Sequence, residues 1–168
     1  MIQSARRRRL TLLALISAPA IAAAAPPGGD SLAAFRPLVG QWECHGRFAR
    51  SGAPIGARLT IAIDGATQSL SLRHDDLPPN AYHAVELWGA ARGGGFRATI
   101  ADASGGVRWL TSPGWRDGML DWERREDGQP KERFRYTLAG DKGFTIEWFV
   151  VDAVRGPILG DSIDCAPG

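Results

Sequence analysis

From Gln41 to Cys165 the chain is a succession of short segments in which apolar and polar residues alternate, each closed by glycine, proline, asparagine or aspartate. Alternation with a period of two marks strands with one buried and one wet face. Ten such segments are predicted, over 41–48, 58–64, 68–75, 82–89, 95–101, 107–112, 118–125, 131–139, 143–151 and 157–165. The intervening Asp64-Gly65, Asp75 to Asn80, Arg92 to Gly94, Gly105-Gly106, Asp127-Gly128 and Gly140 to Gly143 are all hairpin-sized. Consecutive strands should therefore pair as an antiparallel meander.

The alternation also assigns faces. One face collects Trp42, Cys44 and Phe48, then Leu59, Ile61, Ile63, Leu70 and Leu72, then Ala98 and Ile100, Val107 and Trp109, Leu120 and Trp122, Phe134 and Tyr136, Ile146 and Trp148, and Ile163 and Cys165. The other carries Glu43, Arg47, Thr60, Arg73, Arg97, Arg108, Asp121, Glu123, Arg133, Arg135 and Glu147. A long meander with one apolar face buries that face and removes its exposed edges by closing on itself. The expected fold is all-β, a single antiparallel up-and-down barrel of about ten strands preceded by a short N-terminal helix carrying Leu32, Phe35 and Leu38 after a Ser31 cap. A two-sheet sandwich is the competing architecture. A membrane barrel would need apolar residues where this outer face has charges.

Ahead of this domain, Arg6 to Arg9, the apolar run from Leu10 and the small-residue tail ending at Ala25 have the three parts of a secretory signal peptide. The domain assignment is signal peptide 1–25, flexible leader 26–30 and barrel 31–168. The chain has 20 basic and 18 acidic residues. The four signal arginines leave on cleavage and no acidic residue precedes Asp30, so the mature protein is slightly acidic. That balance, with two lysines in all, argues against a nucleic-acid partner. No later stretch approaches the roughly twenty apolar residues of a membrane helix. A periplasmic or secreted monomer is expected. In an oxidising compartment Cys44 and Cys165 can form a disulfide if the first and last strands are neighbours, the alternative being two separate buried thiols. Closing a loop of about 120 residues would contribute up to about 4–5 kcal/mol.

A short helix leading into Gly40-Gln41-Trp42 at the start of the first strand, followed by the meander, resembles the calycin superfamily of lipocalins, fatty-acid-binding proteins and related small barrels. The second lipocalin signature, Thr-Asp-Tyr, is absent, and secreted bacterial lipocalin-like domains are the nearer likeness. The resemblance implies that Trp42 packs across a closed barrel end, and that a cavity opening at the other end takes a small apolar or amphipathic molecule. Heme-binding relatives with ten strands ligate through a late-strand histidine, and this chain has none after His83. No cofactor is expected.

The candidate ligand-binding residues share the inward parity: Trp109, Trp122 and Trp148 as apolar lining, with Trp88 a further possibility, and Glu86, Arg124 and Tyr136 among the polar groups. Arg124 with Tyr136 would suit a ligand carboxylate, or Arg124 could pair internally with Glu86 or Asp161 or sit at the rim. The tryptophans could equally fill the barrel solid. His74, Glu86 or Asp161 could serve as acid or base in an isomerase or hydrolase, although no nucleophile elbow or phosphate loop accompanies them. His74 and His83 fall on opposite parities, so a metal site at their hairpin is not expected. Trp115 is the tryptophan off the strands, read as folding over a barrel end. A non-catalytic binding protein is the reading that the sequence favours, with a solid-core interaction module as a further alternative.

Overall fold

The computed structural model describes residues 32–124 and 131–168. The segments expected to be a signal peptide and leader, the expected Ser31 cap and the expected Asp127-Gly128 turn lie outside the described residues. Eleven strands follow in order: β1 (Gly40–Phe48), β2 (Pro54–Asp64), β3 (Ser69–Asp76), β4 (His83–Ala90), β5 (Phe96–Asp102), β6 (Val107–Ser112), β7 (Trp115–Arg116), β8 (Met119–Arg124), β9 (Lys131–Leu138), β10 (Phe144–Asp152) and β11 (Gly156–Pro167). Each strand pairs antiparallel with its neighbours, β1 pairs with β11, and β6 pairs with β8, so the sheet closes on itself. The two-residue β7 lies beyond Pro113-Gly114 and also pairs with β8. It continues the wall of β6 past a break where proline has no N–H for the ladder. The result is a closed antiparallel barrel of ten strands, compatible with a calycin-like barrel.

Cys44 and Cys165 stand directly opposite each other in the β1–β11 seam and are disulfide-bonded, with Cα atoms 4.0 Å apart. The cross-link therefore joins the first and last strands, as their common inward parity required.

The interior is filled unequally. Around Ala33–Leu38, a 3-10 segment with Leu32, Phe35 and Leu38 fully buried, one end of the barrel is solid. Phe35 meets Trp88 edge-on at 5.6 Å and Phe96 at 4.6 Å. Trp42 packs against Phe144 at 4.8 Å and its indole N–H donates to the Leu38 carbonyl at 2.8 Å. Trp115, on β7, folds over this end with its ring 6.4 Å from Phe35. Deeper in, Trp88 contacts Trp122 at 4.9 Å and Tyr136 at 5.3 Å. Edge-on and tilted rings of this kind pack densely and leave little free volume.

One strand reverses the expected parity. Trp109 is 59% exposed and Val107 52%, both on the outer wall, whereas Leu110 and Ser112 are buried and Arg108 faces in. In the VRWLTS sequence Val107 and Trp109 share one face and Leu110 takes the other, so hydrophobicity alone favours the reverse arrangement. The choice falls to the β5–β6 turn. Asp102 accepts from the backbone N–H groups of Ser104 and Gly106 and from the Ser104 hydroxyl. That turn pairs Ile100 with Arg108 and Ala98 with Leu110, and a one-residue difference in register carries every side chain to the opposite face. Thr111 shares the outward side with Trp109.

Candidate functional site

At the end opposite the Ala33–Leu38 plug the barrel encloses a cavity of about 260 Å³. Its walls come from the end of β1 (Phe48), the start of β2 (Ile55), the end of β3 (His74, Asp76), Tyr82 and Glu86 at β4, Arg108 of β6, Phe134 and Tyr136 of β9, Ile146 and Trp148 of β10, and Asp161 and Ile163 of β11. Solid and hollow readings of the barrel thus each hold for one half of it.

Of the residues proposed from sequence, Glu86, Tyr136 and Trp148 line this cavity, and so do His74 and Asp161. Trp122 points inward but belongs to the solid half, buried against Trp88. Trp109 does not face the interior at all, for the reason given above. Arg124 points inward beside Glu132, 3.5 Å away, outside the cavity lining. Its partner is neither Glu86 nor Asp161.

The cation that does line the cavity is Arg108, which the alternation had placed outside. Its guanidinium is engaged on several sides: Nη1 on Glu132 at 3.1 Å, Nη2 on Asp102 at 3.1 Å and on the Tyr82 hydroxyl at 2.5 Å, with the plane over the Phe134 ring at 5.8 Å. Buried charges are tolerated when paired and hydrogen-bonded in this way. Glu132 bridges Arg108 to Arg124, so both inward arginines are tied to one carboxylate. Tyr82, like Arg108, was not singled out from sequence. Tyr82 sits one residue ahead of β4 after the proline turn, and Asp76 closes β3, so both lie where strand alternation gives way to loop.

Two histidine–aspartate pairs flank that turn on opposite faces. His74 Nε2 lies 2.8 Å from Asp76 inside the barrel, while His83 Nδ1 lies 2.9 Å from Asp75 outside it, where Asp75 also holds Arg73. Among the described residues no group of three or more histidine, cysteine, aspartate or glutamate side chains could hold a metal ion.

The acidic groups of the cavity are shifted by their surroundings. Burial raises the Glu86 carboxyl above its usual range, against the opposing pull of the Trp88 indole N–H, which donates to Oε2 at 2.8 Å, and of His74 and Arg108. Asp161 is pushed up to about 6, mainly by burial, with Asp76 adding to the effect and His74 opposing it. Its carboxylate has no hydrogen bond to any described residue. Tyr136 is 3% exposed, and burial, with the charges of Glu86 and Tyr82 nearby, keeps its hydroxyl protonated well above the usual tyrosine range. That hydroxyl, too, meets no described hydrogen-bond partner. Burial likewise lifts Tyr82 to about 12 despite Arg108.

Trp148 is held over the cavity by a defect in the sheet. The β10–β11 register shifts between Trp148 and Phe149, leaving Gly160 as the bulged residue. A Cβ on Gly160 would lie 2.2 Å from Cε3 of the Trp148 ring, so only glycine lets the indole lie there.

An apolar chamber with a few converging polar atoms can hold a small molecule and orient it. Among the described residues no helix is long and apolar enough to cross a membrane. No protein-family model matches the chain, and no curated protein matches it either.

Proposed function

We propose that this protein is an exported, calycin-like carrier or receptor that binds a small amphipathic molecule in the open half of its barrel, without chemistry. The observation that carries the reading is the division of the interior. One end is packed with Phe35, Trp42, Trp88 and Trp122, while the other keeps a chamber of about 260 Å³ instead of filling it. That volume lies just under the roughly 300–1,000 Å³ of sites for drug-sized molecules, so the ligand is small. Export is supported by the basic, apolar and small-residue parts of residues 5–25 and by a disulfide, which persists in an oxidising compartment.

Titration with a panel of small aromatic and aliphatic compounds tests this. A ligand entering the chamber changes the emission of Trp148 and raises the melting temperature by mass action, by about 2.7 kcal/mol of stability at a hundredfold excess over Kd. A panel that leaves both signals unmoved would reject the reading. His74 on Asp76 beside Asp161 could also move protons, so turnover of a bound compound would favour the isomerase or hydrolase alternative.

A further inference from the structure

We propose that the polar group which this cavity recognises is a protonated amine on an aromatic or branched apolar body, and not a carboxylate; the inference rests on the binding function proposed above. The argument is a count of what the chamber still has to offer. A ligand carboxylate would need free donors. Arg108 is the one arginine of the lining; Glu132, Asp102 and the Tyr82 hydroxyl engage its two terminal nitrogens, while its Nε and the Trp148 indole N–H have no described partner but are shut off from open space. His74 Nε2 is on Asp76. The Trp88 indole N–H is on Glu86.

What the chamber leaves open to a ligand is mostly acceptor. Asp161 has a carboxylate with no hydrogen bond to a described residue. Glu86, 8% exposed, has Oε2 held by Trp88 and no described partner on its second oxygen. Tyr136, 97% buried, brings a hydroxyl without a described partner to the same chamber. An ammonium has three donors and no acceptor, which is the complement of this set. The remaining surface suits such a cation as well, since Phe48, Phe134 and Trp148 present aromatic rings and Ile55, Ile146 and Ile163 complete an apolar wall.

The groups facing Asp161 are His74 and Asp76 from β3, Phe48 from β1 and Trp148 from β10, with Glu86 and Arg108 across the chamber. Burial holds its carboxyl at about 6 in the empty barrel, so an arriving cation restores the charged form and displaces a proton near that pH. Amine binding should therefore release protons at pH 6 and tighten between pH 5 and 7.

The test compares phenethylamine, phenylacetate and phenethyl alcohol, three molecules of one skeleton, by calorimetry and tryptophan fluorescence on the folded mature protein. The expected result is that the amine binds at least tenfold more tightly than the other two. Asp161→Asn, and separately Glu86→Gln, should each weaken the amine by about tenfold or more while narrowing its advantage over the alcohol. Arg124→Ala should leave it unchanged. Two variants at different strands keep the test valid if one fails to fold. Preferred binding of the acid or the alcohol would overturn the amine assignment while leaving the binding function standing. No signal from any of the three, with other panel compounds bound, would also overturn it. Silence across the whole panel would overturn both.

Discussion

Asp161→Asn should make the protein more stable, and by an amount that depends on pH. In the fold the Asp161 carboxyl titrates at about 6, against 3.8 for an ordinary aspartate, because burial beside Asp76 disfavours the charged form more than His74 restores it. A raised carboxyl means that the native state holds its proton over a range where the unfolded chain has lost it. Stability contributed by the neutral acid is therefore complete below about pH 4 and declines as pH rises, and is gone above about 6. The gap between those two values corresponds to about 3 kcal/mol. Asparagine has the same shape and never ionises, so the variant escapes this loss. Thermal unfolding of both proteins from pH 4 to pH 8 measures it. The melting temperatures should nearly coincide at pH 4 and separate above pH 6, to a plateau of about 10 °C for a domain of this size. A difference independent of pH, or a variant less stable than the wild type at pH 8, would refute the reasoning and with it the view of Asp161 as a buried carboxylate awaiting a partner.

Tyr136→Phe should cost less than about 1 kcal/mol by denaturant unfolding, because the hydroxyl it removes has no described hydrogen bond to lose. Arg108→Met leaves Asp102 and Glu132 without their shared cation and should destabilise by about 3–5 kcal/mol in the same assay. Trp42→Ala removes a ring locked by Phe144 and Leu38 and should cost about 3–5 kcal/mol, measurably more than Trp109→Ala on the exposed wall. Replacing both Cys44 and Cys165 by serine should lower the melting temperature by several degrees, and intact mass under non-reducing conditions should show the native protein two hydrogens lighter than its reduced form.

The alternation of residues by itself determined most of this architecture, because a buried face and a wet face leave a trace at every second position. Ten wall strands, their antiparallel order and the meeting of Cys44 with Cys165 could all be read from that trace and from hairpin-sized turns. So could the inward positions of Glu86, Tyr136, Trp148, His74 and Asp161. Strand β6 is where the trace misleads. With valine and tryptophan on one parity and leucine on the other, the pattern favoured Val107 and Trp109 inward, and the Asp102 turn chose the opposite register. That choice exchanged Trp109 for Arg108 in the interior and changed the chemistry of the site. Only the tertiary structure could show that Arg108 and Arg124 are both held by Glu132, because ion pairing across strands depends on distances that no spacing encodes. It also decided which half of the barrel is hollow. Aromatic residues with inward parity are spread along the whole sequence, and their depth along the barrel axis depends on the stagger of the closed sheet, which parity does not contain.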